Sequence, residues 1–387
     1  MTVDATPCVI CGSAATTEAF SIRPSVSTDR QVIDSSVRNR FCDACGTVWN
    51  AGGARIDVPK FYAESYDLHG NSALSEFQVH VEGGARGESD AILEFIEGSA
   101  FPENGRILEI GCGKGLLLGK FLRNHPGWNA CAVEPSLHAT EYFKKILPDV
   151  RIHEGPFETA PFRHEIFDFV AVSGVLEHVP DPVDFLTIVS STLRTGGRLY
   201  VGVPNFAAKP DDLAVFDHLT RFTPDTLDQL YSRTGFVLSR RDANLQRVWL
   251  WDFLIRAEEP LDIPDSGVAG ARALLSSHIE TVENSLRSFE RMIEEAIRGE
   301  KLAIYGLGVL GLLARDRAGD RAEAVRFLLD DNALLWGSSK EGLEIRGSRS
   351  IPELGIQRVF IAANPCYHDR MRNNLIAQGI RVEHIYA

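Results

Sequence analysis

A chain of 387 residues with 44% apolar residues is long enough for about two or three domains and a well-buried core. Its net charge of −13 argues against a general nucleic-acid binder, though not against a local basic pocket. The N-terminus carries no basic and apolar leader, and no apolar run approaches the roughly 20 residues that span a bilayer. A soluble, cytoplasmic protein without nucleic-acid or membrane partners is expected.

Residues 1–57 form the first unit. Cys8-Val9-Ile10-Cys11-Gly12 and Cys42-Asp43-Ala44-Cys45-Gly46 are two Cys-x-x-Cys knuckles. Four thiolates suit tetrahedral zinc, and a closed four-sulfur shell leaves no position for substrate. Cys8, Cys11, Cys42 and Cys45 are therefore expected to hold a structural Zn2+ that staples a mini-domain too small to hold itself. Redox or catalytic zinc is the alternative. Residues 58–100 read as a helical connector, with Ile92, Phe95 and Ile96 on one face of a helix over 89–96.

Residues 101–260 alternate strands with helices, the pattern of a largely parallel sheet covered on both faces. Arg106–Ile110 is a strand, Gly111-Cys112-Gly113-Lys114-Gly115 a glycine loop, and Leu116–Leu122 a helix. Asn129–Glu134, Phe167–Val172 and Gly197–Val203 are further strands, and Glu177-His178 sits beyond a strand end. In an open α/β sheet ligands bind beyond the carboxyl ends of strands, so Gly111–Gly115, Glu134 and His178 should share one rim.

Residues 261–387 complete the chain. Leu274, Leu275, Ile279, Val282, Leu286, Phe289, Ile293 and Ile297 predict one long packed helix over 268–299. The strand Lys301–Tyr305 then leads into a second glycine loop, Gly306-Leu307-Gly308-Val309-Leu310-Gly311. Val325–Asp331 and Val359–Asn364 are strands, so a second Rossmann-like α/β domain is expected.

The two loops differ in chemistry. A dinucleotide loop is Gly-x-Gly-x-x-Gly, spaced for a pyrophosphate. The first loop is Gly-x-Gly-x-Gly and follows Glu109. A carboxylate there disfavours pyrophosphate and suits an ammonium group, such as that of the methionine part of S-adenosylmethionine. Glu134, 23 residues after Gly111, fits a carboxylate that takes ribose hydroxyls. The second loop matches the dinucleotide spacing, with Asp330 at +24. NAD is one reading of it, and a turn that merely packs helix on strand is another.

Leu108–Gly115, Val133-Glu134-Pro135-Ser136, Leu176-Glu177-His178-Val179-Pro180-Asp181-Pro182 and Leu193–Leu199 together resemble a class I S-adenosylmethionine-dependent methyltransferase. The resemblance implies that Glu109, Gly111, Gly113, Gly115, Glu134 and Pro135 line the cofactor, with Phe157 beside the adenine. An α/β domain with an empty, vestigial loop is the alternative.

The whole chain further resembles the three-domain sugar C-methyltransferases of deoxysugar biosynthesis, which act on nucleotide-linked 4-keto sugars. The cysteine pairs, the segment from Tyr66 through His69-Gly70-Asn71-Ser72, and Lys301–Gly306 carry that resemblance. It implies a zinc-binding domain, a methyltransferase domain and a C-terminal domain that helps hold the nucleotide-sugar. Tyr66, His69, Gly306 and Gly308 would face the acceptor, and His178, or His218 with Asp217, would be the base. Such a reaction needs a base near neutral pKa and donors for the developing enolate. O- or N-methylation of a sugar or other small metabolite, and a non-catalytic nucleotide-sugar binding protein, are the competing readings.

Overall fold

The computed structural model describes residues 6–52, 78–81, 84–242, 248–259, 261–265, 267–306, 308–332, 335–340 and 342–387. The chain gathers into two compact units. One comprises Met1–Ala19, Asn39–Ala207 and Asp217–Ala271; the other comprises Phe20–Arg38, Ala208–Phe216 and Arg272–Ala387.

In the first unit, α1 (Glu88–Glu97) precedes β1 (Gly105–Ile110), α2 (Leu116–Asn124) and β2 (Trp128–Glu134). Next come α3 (Leu137–Ile146), β3 (Arg151–Glu154), β4 (Phe167–Ser173), α4 (Pro182–Thr192) and β5 (Leu193–Pro204). The unit continues with α5 (Pro224–Arg233), β6 (Phe236–Asp242) and β7 (Trp249–Arg256). The seven strands lie in the order β3-β2-β1-β4-β5-β7-β6. All neighbours are parallel except at β7, which runs antiparallel to both β5 and β6.

Strands covered on both faces need apolar residues at successive positions. Leu108 and Ile110 of β1 join Val133, Val170 and Val172 in one buried core, whereas Ile107 joins Ala132, Phe169 and Ala171 in another. Strand order reverses between β1 and β4, which opens a crevice beyond their carboxyl ends.

The cysteine knuckles are part of this unit. Cys8, Ile10, Cys42, Cys45 and Trp49 belong to the same buried core as Leu108 and Val172. The strand Val48–Asn50 pairs on one side with the strand ending at Cys42 (Arg40 opposite Trp49). On its other side it pairs with Thr220–Arg221, Thr220 standing opposite Trp49.

The second unit carries α6 (Val268–Glu294), β8 (Lys301–Tyr305), α7 (Val309–Ala318) and β9 (Val325–Leu329). Four further strands follow: β10 (Ser339–Lys340), β11 (Leu343–Arg346), β12 (Ile356–Ile361) and β13 (Ile385–Tyr386). Their order is β10-β11-β9-β8-β12-β13, with only the β10–β11 pair antiparallel. The protein is thus a mixed α/β fold with two parallel-rich sheets.

Three elements differ from expectation. Within the expected helical connector, the strands Gln78–Val81 and Gly84–Gly87 pair antiparallel, where Val79 and Val81 at alternate positions favour extended chain. The long helix stops at Glu294 and leaves Ile297 69% exposed, because that last apolar residue has no core to face. β5 begins at Leu193 and takes in Thr195-Gly196, with a register shift against β4. No described helix is long and apolar enough to cross a membrane.

Candidate functional site

The glycine loop between β1 and α2 sits at the reversal of strand order. Gly111 has φ +73°, and a Cβ there would lie 2.2 Å from Val175 Cγ2, so only glycine fits. Gly113, at φ +51°, has no atom of the described residues within 4 Å of where a Cβ would stand. The loop is pressed against the chain on one side and open on the other. Gly115 begins α2 at φ +81°.

Two carboxylates frame the open side. Glu134, at the end of β2, accepts from Gly113 N at 2.7 Å through Oε2 and from Ser136 N at 2.8 Å through Oε1. Each oxygen keeps a second lone pair, which a ribose hydroxyl can use. Burial raises the Glu134 carboxyl, and the Ser136 and Gly113 amides oppose it. Pro135 is half-buried next to it, and Ser136 caps α3. Glu109 is buried, and burial pushes its carboxyl up to about 8, with the Leu118 amide opposing and Glu134 adding to the shift. Glu109 Oε2 is buried and has no hydrogen-bond partner among the described residues. Such an atom, next to an open loop, fits a cationic ligand group.

The histidines lie at the same rim. Val175, which meets Gly111, leads into the 3-10 turn Leu176–His178 beyond β4. His178 is 8% and His218 4% exposed, with ring centroids 4.9 Å apart at 67°. His178 Nδ1 lies 2.8 Å from the backbone carbonyl of Asp217 and 3.8 Å from Asp217 Oδ2. Only an Nδ1–H can donate to that carbonyl, so in the neutral ring Nε2 is the nitrogen left as acceptor. Leu219 N donates to the carbonyl of Glu177 at 2.6 Å, and the buried Arg221 donates from Nη1 to the carbonyl of His218 at 2.5 Å.

Phe157 is buried against Phe185 in the core. Gly306 and Gly308 lie in the second unit, where the loop closes on its own neighbours. A Cβ on Gly308 would stand 1.7 Å from Ala362 O, and the cavity lined by Gly306, Gly308 and Gly311 holds about 10 Å³. Tyr66 and His69 lie outside the described residues. Trp249 and Trp251 belong to β7, and Trp251 is buried against Phe95.

Sequence reasoning passed over Glu177 as a site residue and Arg221 altogether. The Glu177-His178 adjacency was a signal for the first. Nothing marks a lone arginine after a threonine as buried.

The four cysteines form a separate cluster. Their sulfurs lie within 4.8 Å of one another, Cys8 to Cys45 and Cys11 to Cys42 at 3.5 Å. Zn–S bonds of about 2.3 Å in a tetrahedron put sulfurs about 3.8 Å apart, so the set fits zinc with small adjustment. Hydrogen bonding with Cys45, then burial, raises the Cys8 thiol; burial raises Cys42 to about 11.

A methyltransferase-domain family matches residues 84–240. Ubiquinone biosynthesis O-methyltransferase of Xanthomonas axonopodis pv. citri is 28% identical over 137 residues, covering 34% of this chain and 57% of its own. The enzyme of the same name from Rhizobium rhizogenes is 34% identical over 133 residues, covering 33% and 53%. The chain therefore spans about half the length of the curated relatives it matches. Among solved structures, mitomycin 7-O-methyltransferase has a TM-score of 0.36 at 19% identity, covering 44% of this chain and 54% of its own. The family match falls on the stretch that holds the glycine loop, both carboxylates and both histidines, and residues 84–240 are a class I, S-adenosylmethionine-dependent methyltransferase domain.

Proposed function

We propose that the chain is an S-adenosylmethionine-dependent methyltransferase that C-methylates a nucleotide-linked keto-deoxysugar, with one of the two rim histidines as general base. The observation that carries the cofactor part is the pair Glu109 and Glu134 around a glycine loop open at Gly113. Glu109 would meet the ammonium of the methionine moiety, Glu134 the ribose hydroxyls, and the loop amides the polar groups between. When bound, the cofactor supplies a methyl group on a sulfonium. The chain's own task is to hold that methyl in line with the acceptor and to remove a proton from it. His178 suits the second task because its Nδ1–H is tied to Asp217 O, so that in the neutral ring Nε2 is the nitrogen able to take a proton. The four cysteines hold structural zinc on this reading. The sugar substrate rests on the resemblance of the whole chain to sugar C-methyltransferases.

O-methylation is the second reading. The ubiquinone relatives are named O-methyltransferases, and a His178 or Asp217-His218 base would serve a hydroxyl equally well. Labelled cofactor with a panel of nucleotide-linked 4-keto sugars and their hydroxyl analogues separates the two. C-methylation predicts exchange of solvent deuterium into the acceptor carbon, together with label in a non-hydrolysable C–CH3 group. Absence of both exchange and transfer across the keto-sugar panel refutes the carbon-acceptor reading.

A further inference from the structure

Glu109 Oε2, Tyr200 Oη and Trp251 Nε1 are each buried with no hydrogen-bond partner among the described residues. The sheet register brings them to one face. Glu109 of β1 stands level with Ala171 of β4, and Ala171 with Tyr200 of β5. Residues level on neighbouring strands share a face, as do residues two apart along one strand. Gly202, two positions beyond Tyr200, is paired with Trp251 of β7, so Trp251 joins that face. Tyr200 and Trp251 both pack on Phe95, with ring centroids 6.1 and 5.9 Å from it.

The phenol leans toward the cofactor rim. A Cβ on Gly202 would stand 2.6 Å from Tyr200 Oη and 2.8 Å from Ser173 Oγ, so glycine leaves the room that the hydroxyl uses. Ser173 is level with Gly202 and directly follows Val172, whose partner Ile110 precedes Gly111. The Tyr200 hydroxyl therefore ends at the level of the glycine loop. Burial raises the phenol well above its usual range, with the Ser173 hydroxyl opposing and Glu109 among the carboxylates that add to the shift. The group keeps its proton and can donate, as the indole N–H of Trp251 can. Buried polar atoms left unpaired are costly, and native chains rarely keep them without something to meet them. One carboxylate beside two neutral donors complements an α-amino-acid group, whose ammonium and carboxylate share a single carbon. At about 4.8 Å per strand the backbones of Glu109 and Tyr200 lie about 10 Å apart, a gap that their side chains narrow from both sides.

We propose that Tyr200 Oη and Trp251 Nε1 donate to the α-carboxylate of S-adenosylmethionine while Glu109 takes its ammonium. The inference rests on the cofactor assignment made above and deepens it: two residues from β5 and β7 make the site selective for a cofactor with an intact amino-acid end.

The test titrates the full chain by calorimetry with S-adenosylmethionine and with its decarboxylated analogue, which keeps the ammonium and lacks the carboxylate. The native chain should bind the intact cofactor at least about tenfold more tightly. Tyr200→Phe and Trp251→Phe should each weaken S-adenosylmethionine binding by about tenfold. Both should hold the decarboxylated analogue within about threefold of the native affinity, which also shows that the variants fold. Glu109→Gln should weaken both ligands, since both carry the ammonium. An equal loss for the two ligands in Tyr200→Phe and Trp251→Phe marks a structural role and overturns the proposal. Equal affinity of the native chain for the two ligands overturns it without any substitution, and leaves the cofactor assignment intact. A native chain that binds neither ligand defeats the cofactor assignment itself.

Discussion

The Nδ1 of His178 sits 2.8 Å from the backbone carbonyl of Asp217, 39 positions further along the chain. The bond sets the tautomer with a group that no side-chain substitution at 217 removes. His178→Ala should therefore lower the turnover of methyl transfer by about 10²–10⁴-fold. Cofactor affinity, which the proposed function assigns to Glu109 and Glu134, should change by less than about threefold. Calorimetry with S-adenosylmethionine beside a radiolabel assay separates the two quantities. Equal losses in both would place His178 in the cofactor site instead.

Glu134 does two jobs in the ligand-free protein, accepting from Gly113 N and Ser136 N. Glu134→Ala would strip both amides of their partner and remove the acceptor for ribose hydroxyls. Lost charged hydrogen bonds are worth about 1.5–3 kcal/mol each. Cofactor affinity should fall by at least about tenfold, with Glu134→Gln intermediate because it keeps one oxygen. A Kd unchanged in the alanine variant would remove Glu134 from the site.

Glu109 gives the site a pH signature. Burial lifts its carboxyl from 4.5 to about 8, so the fold favours the neutral acid. The folded value lies above the unfolded one. Its contribution to stability is therefore complete below about pH 4.5 and lost as pH rises through about 8. Glu109→Gln, neutral throughout, should flatten the fall in Tm of the ligand-free protein across that window. An ammonium ligand needs the carboxylate, so cofactor binding near neutral pH should release up to about one proton. Calorimetry in buffers of different ionisation enthalpy reads that release directly, and Glu109→Gln should abolish it.

Much of this architecture was legible because strands buried on both faces must be apolar at successive positions and must end in turns. Leu108–Ile110 with its glycines, and Phe167–Val172, fell where expected. The carboxylates were legible from position alone, since a strand end fixes where its next side chain lies. What sequence could not carry is pairing between distant backbones. Neither Trp49 opposite Thr220 nor Leu219 N on Glu177 O leaves any periodicity, because backbone amides look alike in every residue. Nor could sequence tell the two glycine loops apart in openness. Among the described residues Gly113 meets no neighbour while Gly308 abuts Ala362 O, and that depends on what packs above each loop.

That contrast is testable. Gly308 has φ −72°, so alanine is torsionally acceptable there, but its Cβ would stand 1.7 Å from Ala362 O. The backbone must shift, and overpacking of this kind costs about 1–3 kcal/mol. Gly308→Ala should lower Cm in urea without changing affinity for S-adenosylmethionine. Gly113→Ala should do the opposite, with modest loss of stability from φ +51° and a clear loss of cofactor affinity as the methyl enters the open space. A reversed pattern would exchange the roles of the two loops.

Zinc loss should reach the histidines. Cys42 and Cys45 flank the turn into Val48–Asn50, which pairs with Thr220–Arg221, and Asn50 N donates to Leu219 O at 2.8 Å. His218 directly precedes this segment, and Leu219 N in turn holds Glu177 O. Purified protein should contain about one zinc per chain on the cysteines, lost in Cys42→Ser. Because the strand pairing joins the knuckle to the histidine rim and not to the glycine loop, removing zinc with a chelator should lower the turnover of methyl transfer more than it weakens cofactor binding. Near-UV circular dichroism should report the loosening around Trp49 at the same zinc occupancy. A metal-free protein with full turnover would break that link.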